Sequence, residues 1–175
     1  MLSVTEVVEE GFFKELYTAV GRVTVNWSLL EAVSDQQIAV TADICNVPLP
    51  AEFWRKEFIN RLRAWEDMLI NKYPHKGFRD SCLSLIGKIK SSSGRRHEIT
   101  HRSWRAGSKR GEPHIAILLP NHHRREFEWK TSPDKVSAFA DKIFNLVNEV
   151  LTIGPEYDIA VNASPRKSRS RRRNG

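Results

Sequence analysis

From Val4 to about Cys45 the apolar residues recur three and four positions apart, with Val8, Phe12, Leu16 and Val20 followed by Val23, Trp27, Leu30 and Val33. Sustained over so long a run, that period predicts one long amphipathic helix, or two helices bent near Gly21. Such a helix shows an apolar stripe that loops cannot cover, so the rest of the chain must supply further helices to pack along it. Its second half carries Trp27-Ser28-Leu29-Leu30-Glu31, which sets one acid beside an aromatic and a leucine pair.

The remaining sequence supplies those partners. Pro48 and Pro50 break the first helix, because proline lacks the amide proton and clashes with the preceding turn. A second helix follows, with Trp54, Phe58, Leu62, Trp65 and Leu69 as its buried stripe and Arg55, Lys56, Arg61, Arg63 and Lys72 mostly off it. Tyr73-Pro74-His75-Lys76-Gly77 ends it, and a third helix begins near Phe78 with Cys82, Leu85, Ile86 and Ile89 on its buried face. This helix runs into Ser91-Ser92-Ser93-Gly94, a locally weak stretch expected to loosen or kink it.

Beyond Trp104 the pattern changes. Ala106 to Gly111 is turn chemistry, His114–Leu119 reads as a strand, and Arg125–Lys130 alternates polar and aromatic residues as a half-buried strand does. Pro120-Asn121-His122-His123 would turn between the two. Ser132-Pro133-Asp134 opens a last helix with a capping serine, proline at the first position and an acid in the first turn. Val136, Phe139, Ala140, Ile143, Val147, Val150 and Leu151 line its apolar face, and Gly154-Pro155 is expected to stop it. The fold class expected is therefore mainly α, a bundle of four to five long helices with a small antiparallel β-hairpin inserted before the last. The domain covers residues 1–160, with its insert at about 104–130, and residues 161–175 form a disordered basic tail.

Charge belongs to that tail. Of the formal +7, six charges come from Arg166, Lys167, Arg169, Arg171, Arg172 and Arg173, which leaves +1 for everything else. A high isoelectric point thus says nothing about the folded surface, while the tail itself would raise affinity for RNA without choosing its sequence. Cys45 and Cys82 carry no pairing signature and suit reduced thiols in a cytoplasmic protein. The first residues do not read as a signal peptide, and no apolar run approaches the roughly 18 residues that span a bilayer, so no membrane partner is expected.

The densest polar chemistry lies at Gly94-Arg95-Arg96-His97-Glu98-Ile99-Thr100-His101-Arg102-Ser103-Trp104. Residues 97–101 spell H-E-x-x-H, in which two imidazoles one turn apart can bind zinc. A zinc hydrolase also needs a third ligand, and Arg95, Arg96 and Arg102 crowd the motif with cations, so zinc hydrolysis through residues 97–101 stays as the last-ranked function and no metal and no cofactor is assigned. Arg96 and His101 also make R-x4-H. A guanidinium holds a phosphate through two hydrogen bonds and an imidazole moves a proton near neutral pH, which together suit phosphodiester chemistry. A cationic cluster that merely complements the helix dipole is the third reading. On a regular helix His97 and His101 lie about 40° apart around the axis, and Arg96 and His101 about 140° apart.

Read through Arg96 and His101, the chain resembles the HEPN family, the higher eukaryote and prokaryote nucleotide-binding helical domains, whose signature is an arginine and a histidine separated by four to six residues late in a helix. His97 takes the polar place after the arginine, and Trp104 is similar to an aromatic that follows in several bacterial members. The Trp27 to Glu31 stretch and the Ser132 to Ile153 helix resemble the surrounding bundle elements. Two positions depart from the pattern: Arg102 replaces a small residue, and His97 replaces the commoner asparagine or aspartate. The resemblance implies a homodimer with two Arg-His motifs across its interface, and a metal-independent endoribonuclease in which the RNA 2′-hydroxyl attacks its own phosphate. Arg96 would stabilise the developing charge and His101 would be the general acid or base, supported by His97, Glu31 and Arg102. The divergence of Arg96 and His101 on the wheel favours a site completed by a second protomer. The alternative is a non-catalytic interaction module with a protein partner, such as a sensor or a toxin or antitoxin partner in a defence system.

Overall fold

A computed structural model describes the backbone of residues 4–101, 103–109, 112–118 and 129–162, and the side chains of residues 11–101 and 131–153. Four long helices make a mainly helical bundle: α1 (Val4–Ile44), α2 (Phe58–Asn71), α3 (Lys76–His101) and α4 (Pro133–Asn162). α1 passes Gly21 as one unbroken helix. Leu16, Ala19, Val23, Trp27 and Leu30 are all buried on either side of that glycine, and one mid-helix glycine costs only about 1 kcal/mol against alanine.

α1 ends in a left-handed cap. Asn46 has φ 51°, the Val47 N–H donates to the Ala42 carbonyl at 2.8 Å, and the Asn46 N–H donates to the Asp43 carbonyl at 3.2 Å. These are the two bonds of a Schellman motif, in which asparagine tolerates a conformation that Cβ-branched residues resist. Asn46→Val is expected to cost about 1–2 kcal/mol, and Asn46→Gly to be neutral or slightly stabilising, as read from urea unfolding midpoints.

The chain then doubles back along α1 through Pro48, Pro50 and a 3₁₀ turn at Ala51–Arg55. Phe53 is buried, but Trp54 is 39% exposed, packed edge-on against Phe53. The expected stripe beginning at Trp54 is thus corrected: Lys56 is extended, with ψ 153°, and helical phase restarts at Phe58. Arg61, placed off the stripe by sequence, is in fact buried.

Pairs of touching residues fix the helix directions. Asp35 meets Arg61, Thr41 meets Trp65 and Cys45 meets Met68, so α1 and α2 run the same way. Arg22 donates to Ser137 and Asp141 and Asn26 donates to the Ala140 carbonyl at 2.9 Å, which seats α4 against α1. Glu66 pairs with Lys90 and Tyr73 packs on Phe78, so α3 returns antiparallel to α2. Lys88 pairs with Glu149 at 2.6 Å, and Arg95 lies over Phe139 on the same α3–α4 face. Leu30, Ile38, Leu62, Trp65, Ile86, Ile89, Ile99 and Ile143 fill the core between them.

α3 is not interrupted at its serines. Ser91 and Ser92 donate to the Lys88 carbonyl at 2.8 and 3.0 Å, and Ser93 to the Lys90 carbonyl at 2.9 Å. Hydroxyls turned back on their own helix are satisfied there without drawing the backbone out of the helical state. At α4 the Ser132 hydroxyl accepts from the Lys135 N–H at 3.4 Å, the expected cap. Leu151 is 51% exposed and leaves the apolar face assigned to it. The helix also continues past Gly154 and Pro155 to Asn162, overturning the expected stop.

Between α3 and α4 the described backbone includes β1 (Ser103–Lys109), β2 (Glu112–Leu118) and β3 (Trp129–Thr131), antiparallel in the order β1-β2-β3. Ser103 lies opposite Leu118 and Lys109 opposite Glu112, so the segment read as turn chemistry from Ala106 is largely strand. Most of the expected partner strand Arg125–Lys130, and the turn Pro120–His123, lie outside the described residues, as does the tail beyond residue 162. Among the described residues, no helix is long and apolar enough to cross a membrane.

Candidate functional site

The last turns of α3 set the site. Adjacent residues on a helix point about 100° apart, and Arg95 and Arg96 use that angle to reach two different neighbours. The Arg95 guanidinium lies over the Phe139 ring of α4 at 5.5 Å, and the Arg96 guanidinium lies over the Trp27 ring of α1 at 5.7 Å. The two arginines thereby tie the end of α3 to both long helices.

Arg96 then turns back toward His101, with Nη1 3.2 Å from the imidazole Nε2. The wheel separation of about 140° is bridged within one chain because the long arginine side chain curls around the helix. That divergence consequently gives no reason to require a second protomer. A guanidinium only donates, so Nε2 is the acceptor and the neutral ring carries its proton on Nδ1. The His97 ring sits 4.9 Å from that of His101, and both histidines are exposed. The Arg96 Nε is buried without a hydrogen-bond partner among the described residues.

Glu31 does not touch the pair directly. Its Oε1 accepts from the Trp27 indole Nε1–H at 2.6 Å, and its Oε2 lies 3.7 Å from Arg61 Nη2. Arg61 also donates from Nε to Asp35 at 2.8 Å and from Nη1 to the Lys56 carbonyl, over the face of Phe58. Phe58 meets Trp27 edge to face at 5.8 Å. Trp27, only 3% exposed, is thus clamped at its edge by a carboxylate and a ring while its face carries Arg96. Sequence reading placed Glu31 near the site but missed the parts of Trp27 and Arg61. The four-residue spacing of Trp27 and Glu31 was a usable signal. Nothing local marked Arg61, whose partners are 26 and 30 positions away.

Magnitudes show why the platform matters. Fixing an arginine side chain costs about 1.5–2 kcal/mol of rotamer entropy. One hydrogen bond to His101 returns about 0.5–1.5 kcal/mol, and the contact with a desolvated indole about 0.5–2 kcal/mol. Together, at about 1–3.5 kcal/mol, they bracket the entropy cost, which the hydrogen bond alone at most just reaches.

Other chemistries find less here. Among the described residues, no third His, Cys, Asp or Glu joins His97 and His101 as a metal-binding set. Burial pushes the Cys45 thiol up, only partly countered by the nearby Lys72, so little thiolate is present at neutral pH. Arg102 and the tail residues Arg166, Lys167, Arg169, Arg171, Arg172 and Arg173 lie outside the described residues. No family model, curated protein or solved structure matches the chain.

Proposed function

We propose that the chain is a HEPN-like endoribonuclease that works without a metal, as a homodimer, with Arg96 and His101 at its site. The observation that carries this reading is the 3.2 Å approach of the Arg96 guanidinium to His101 Nε2 at an exposed helix end. An RNA phosphate at that end would meet the guanidinium cation of Arg96 beside an imidazole. In the reaction the 2′-oxygen bonds to the adjacent phosphorus while the bond to the 5′-oxygen breaks. The 2′-hydroxyl gives up a proton and the leaving oxygen gains one. Arg96 stabilises the charge gathering on the phosphoryl oxygens, and His101 carries one of the two proton transfers. The basic tail adds sequence-independent RNA affinity, which falls steeply with salt and is lost with residues 165–175. That Cys45 and Cys82 form no disulfide suits a cytoplasmic setting. The small antiparallel insert before α4 belongs to the same picture of the fold.

A second reading, a non-catalytic module with a protein partner, draws on the outer face of the α1–α4 seam. Val25 and Leu29 on α1 and Phe144 and Leu151 on α4 are 66%, 42%, 46% and 51% exposed. By helical spacing they share the side marked by the Arg22–Asp141 ion pair. Exposed apolar residues grouped in this way suit association, with a second copy in the first reading and with another protein in the second.

Labelled RNA incubated with purified protein in excess EDTA separates the two. The nuclease reading expects cleavage that survives EDTA and disappears in Arg96→Ala and His101→Ala. Intact RNA in the wild-type lane would move the assignment to the interaction module.

A further inference from the structure

The site's least obvious member is an indole that no substrate can reach. We infer that Trp27 is a positioning residue: it holds Arg96 over its face, and through Arg96 it sets the tautomer of His101. The inference rests on three linked contacts. Glu31 accepts the Trp27 Nε1–H at 2.6 Å, Arg96 lies 5.7 Å above the indole, and Arg96 Nη1 reaches His101 Nε2 at 3.2 Å. The links form a relay in which each group orients the next.

The first link fixes the ring. A charged acceptor on the indole N–H, with the Phe58 ring packed perpendicular to it at 5.8 Å, leaves Trp27 one orientation. The second link fixes the cation. Arg96 has no carboxylate partner among the described ion pairs, so what anchors its guanidinium is the indole face and the histidine. The third link fixes a proton. Because Arg96 can only donate, His101 must accept at Nε2 and hold its own proton at Nδ1. A free imidazole prefers the opposite tautomer, with the proton on Nε2. Removing the indole removes an anchor that the arginine–histidine hydrogen bond cannot replace, and His101 then returns to its ordinary preference.

For the catalytic consequence this inference rests on the nuclease reading, but its structural content does not. The test uses full-length protein with 15N-labelled histidine, observed by two-bond proton–nitrogen correlation at a pH where the ring is neutral. Wild type is expected to show His101 with its proton on Nδ1, and Trp27→Leu with its proton on Nε2. Trp27→Phe keeps an aromatic face and is expected to restore the Nδ1–H pattern. Glu31→Ala, at a half-buried position, serves if Trp27→Leu does not fold. It is expected to move the Trp27 indole resonance and shift His101 toward the Nε2–H form. A folded Trp27→Leu or Glu31→Ala protein with the wild-type tautomer would overturn the inference.

RNA cleavage gives a separate readout. Trp27→Leu is expected to lower kcat by about 10–100-fold, as a small displacement of a reacting group does, with KM within about threefold, and Trp27→Phe should recover most of the loss. If the tautomer shifts as stated but no form of the protein cuts RNA, the nuclease reading fails and the role of Trp27 stands. If the protein cuts RNA and Trp27→Leu leaves both tautomer and kcat unchanged, the role of Trp27 fails and the nuclease reading stands.

Discussion

Replacing His101 with alanine is expected to slow RNA cleavage by about 10²–10⁴-fold, the usual contribution of one well-placed proton donor or acceptor. The fold should barely notice. His101 is exposed at the last position of α3 and its hydrogen-bond partner is Arg96, and surface substitutions of this kind stay within about 0.5 kcal/mol. RNA affinity should also hold, because phosphate contacts from cations dominate it. A parallel Arg96→Ala variant is predicted to differ in kind. On the nuclease reading it removes the group proposed to bind the phosphate, and it also strips a side chain from the face of Trp27, so it should weaken binding and cleavage together and cost some stability. Arg96→Lys retains charge but not the planar fork, and should recover affinity better than rate. Single-turnover kinetics with RNA titrations for the three variants measures these differences.

The largest effect on stability is expected at Trp65. It is fully buried, and its indole Nε1–H donates at 2.9 Å to the Thr41 hydroxyl, which itself donates to the Gln37 carbonyl at 2.8 Å. Trp65→Ala empties the middle of the α1–α2 contact and takes a donor from a buried oxygen. Large-to-small changes of this type cost about 3–5 kcal/mol, against a total stability of about 5–15 kcal/mol for an ordinary domain. Trp65→Phe fills most of the space and should cost clearly less, leaving chiefly the lost hydrogen bond of about 1 kcal/mol. Chemical denaturation of the pair measures both. Arg61 stands one turn before Trp65 on α2, so loosening this helix also frees the ion pairs that Arg61 makes with Asp35 and Glu31. A Trp65→Ala protein that still folds should therefore cut RNA more slowly than its residual folded fraction alone explains.

The helices were readable in the sequence because burial enforces a period. Leu16, Val23, Trp27 and Leu30 on α1, Cys82, Leu85, Ile86 and Ile89 on α3, and Val136, Phe139, Ala140 and Ile143 on α4 all face the core as their spacing required. Periodicity misleads where the backbone changes state without a change in hydrophobicity. Trp54 keeps helical phase with Phe58 across an extended Lys56, and only the backbone angles separate them. Leu151 keeps phase with Val147, yet its surroundings leave it half exposed. Local weakness misleads in the other direction: the Ser91 to Gly94 stretch stays helical because tertiary packing outweighs propensity, with Ile89, Ser92 and Ile99 buried around it. The Arg-His motif was legible as five positions of sequence. Its geometry was not, since the curl of Arg96 toward His101 depends on Trp27, which lies 69 positions away.

Chimeric oligonucleotides bearing a single ribonucleotide in a DNA backbone, cut by the wild-type protein in excess EDTA, test the central claim most directly. Scission is expected only at the ribonucleotide, with a 2′,3′-cyclic phosphate left on the upstream product and no scission of the all-deoxy control or by His101→Ala. Cutting of the all-deoxy strand, or equal cutting by His101→Ala, would contradict it, because then neither the 2′-hydroxyl nor the imidazole would be carrying the reaction.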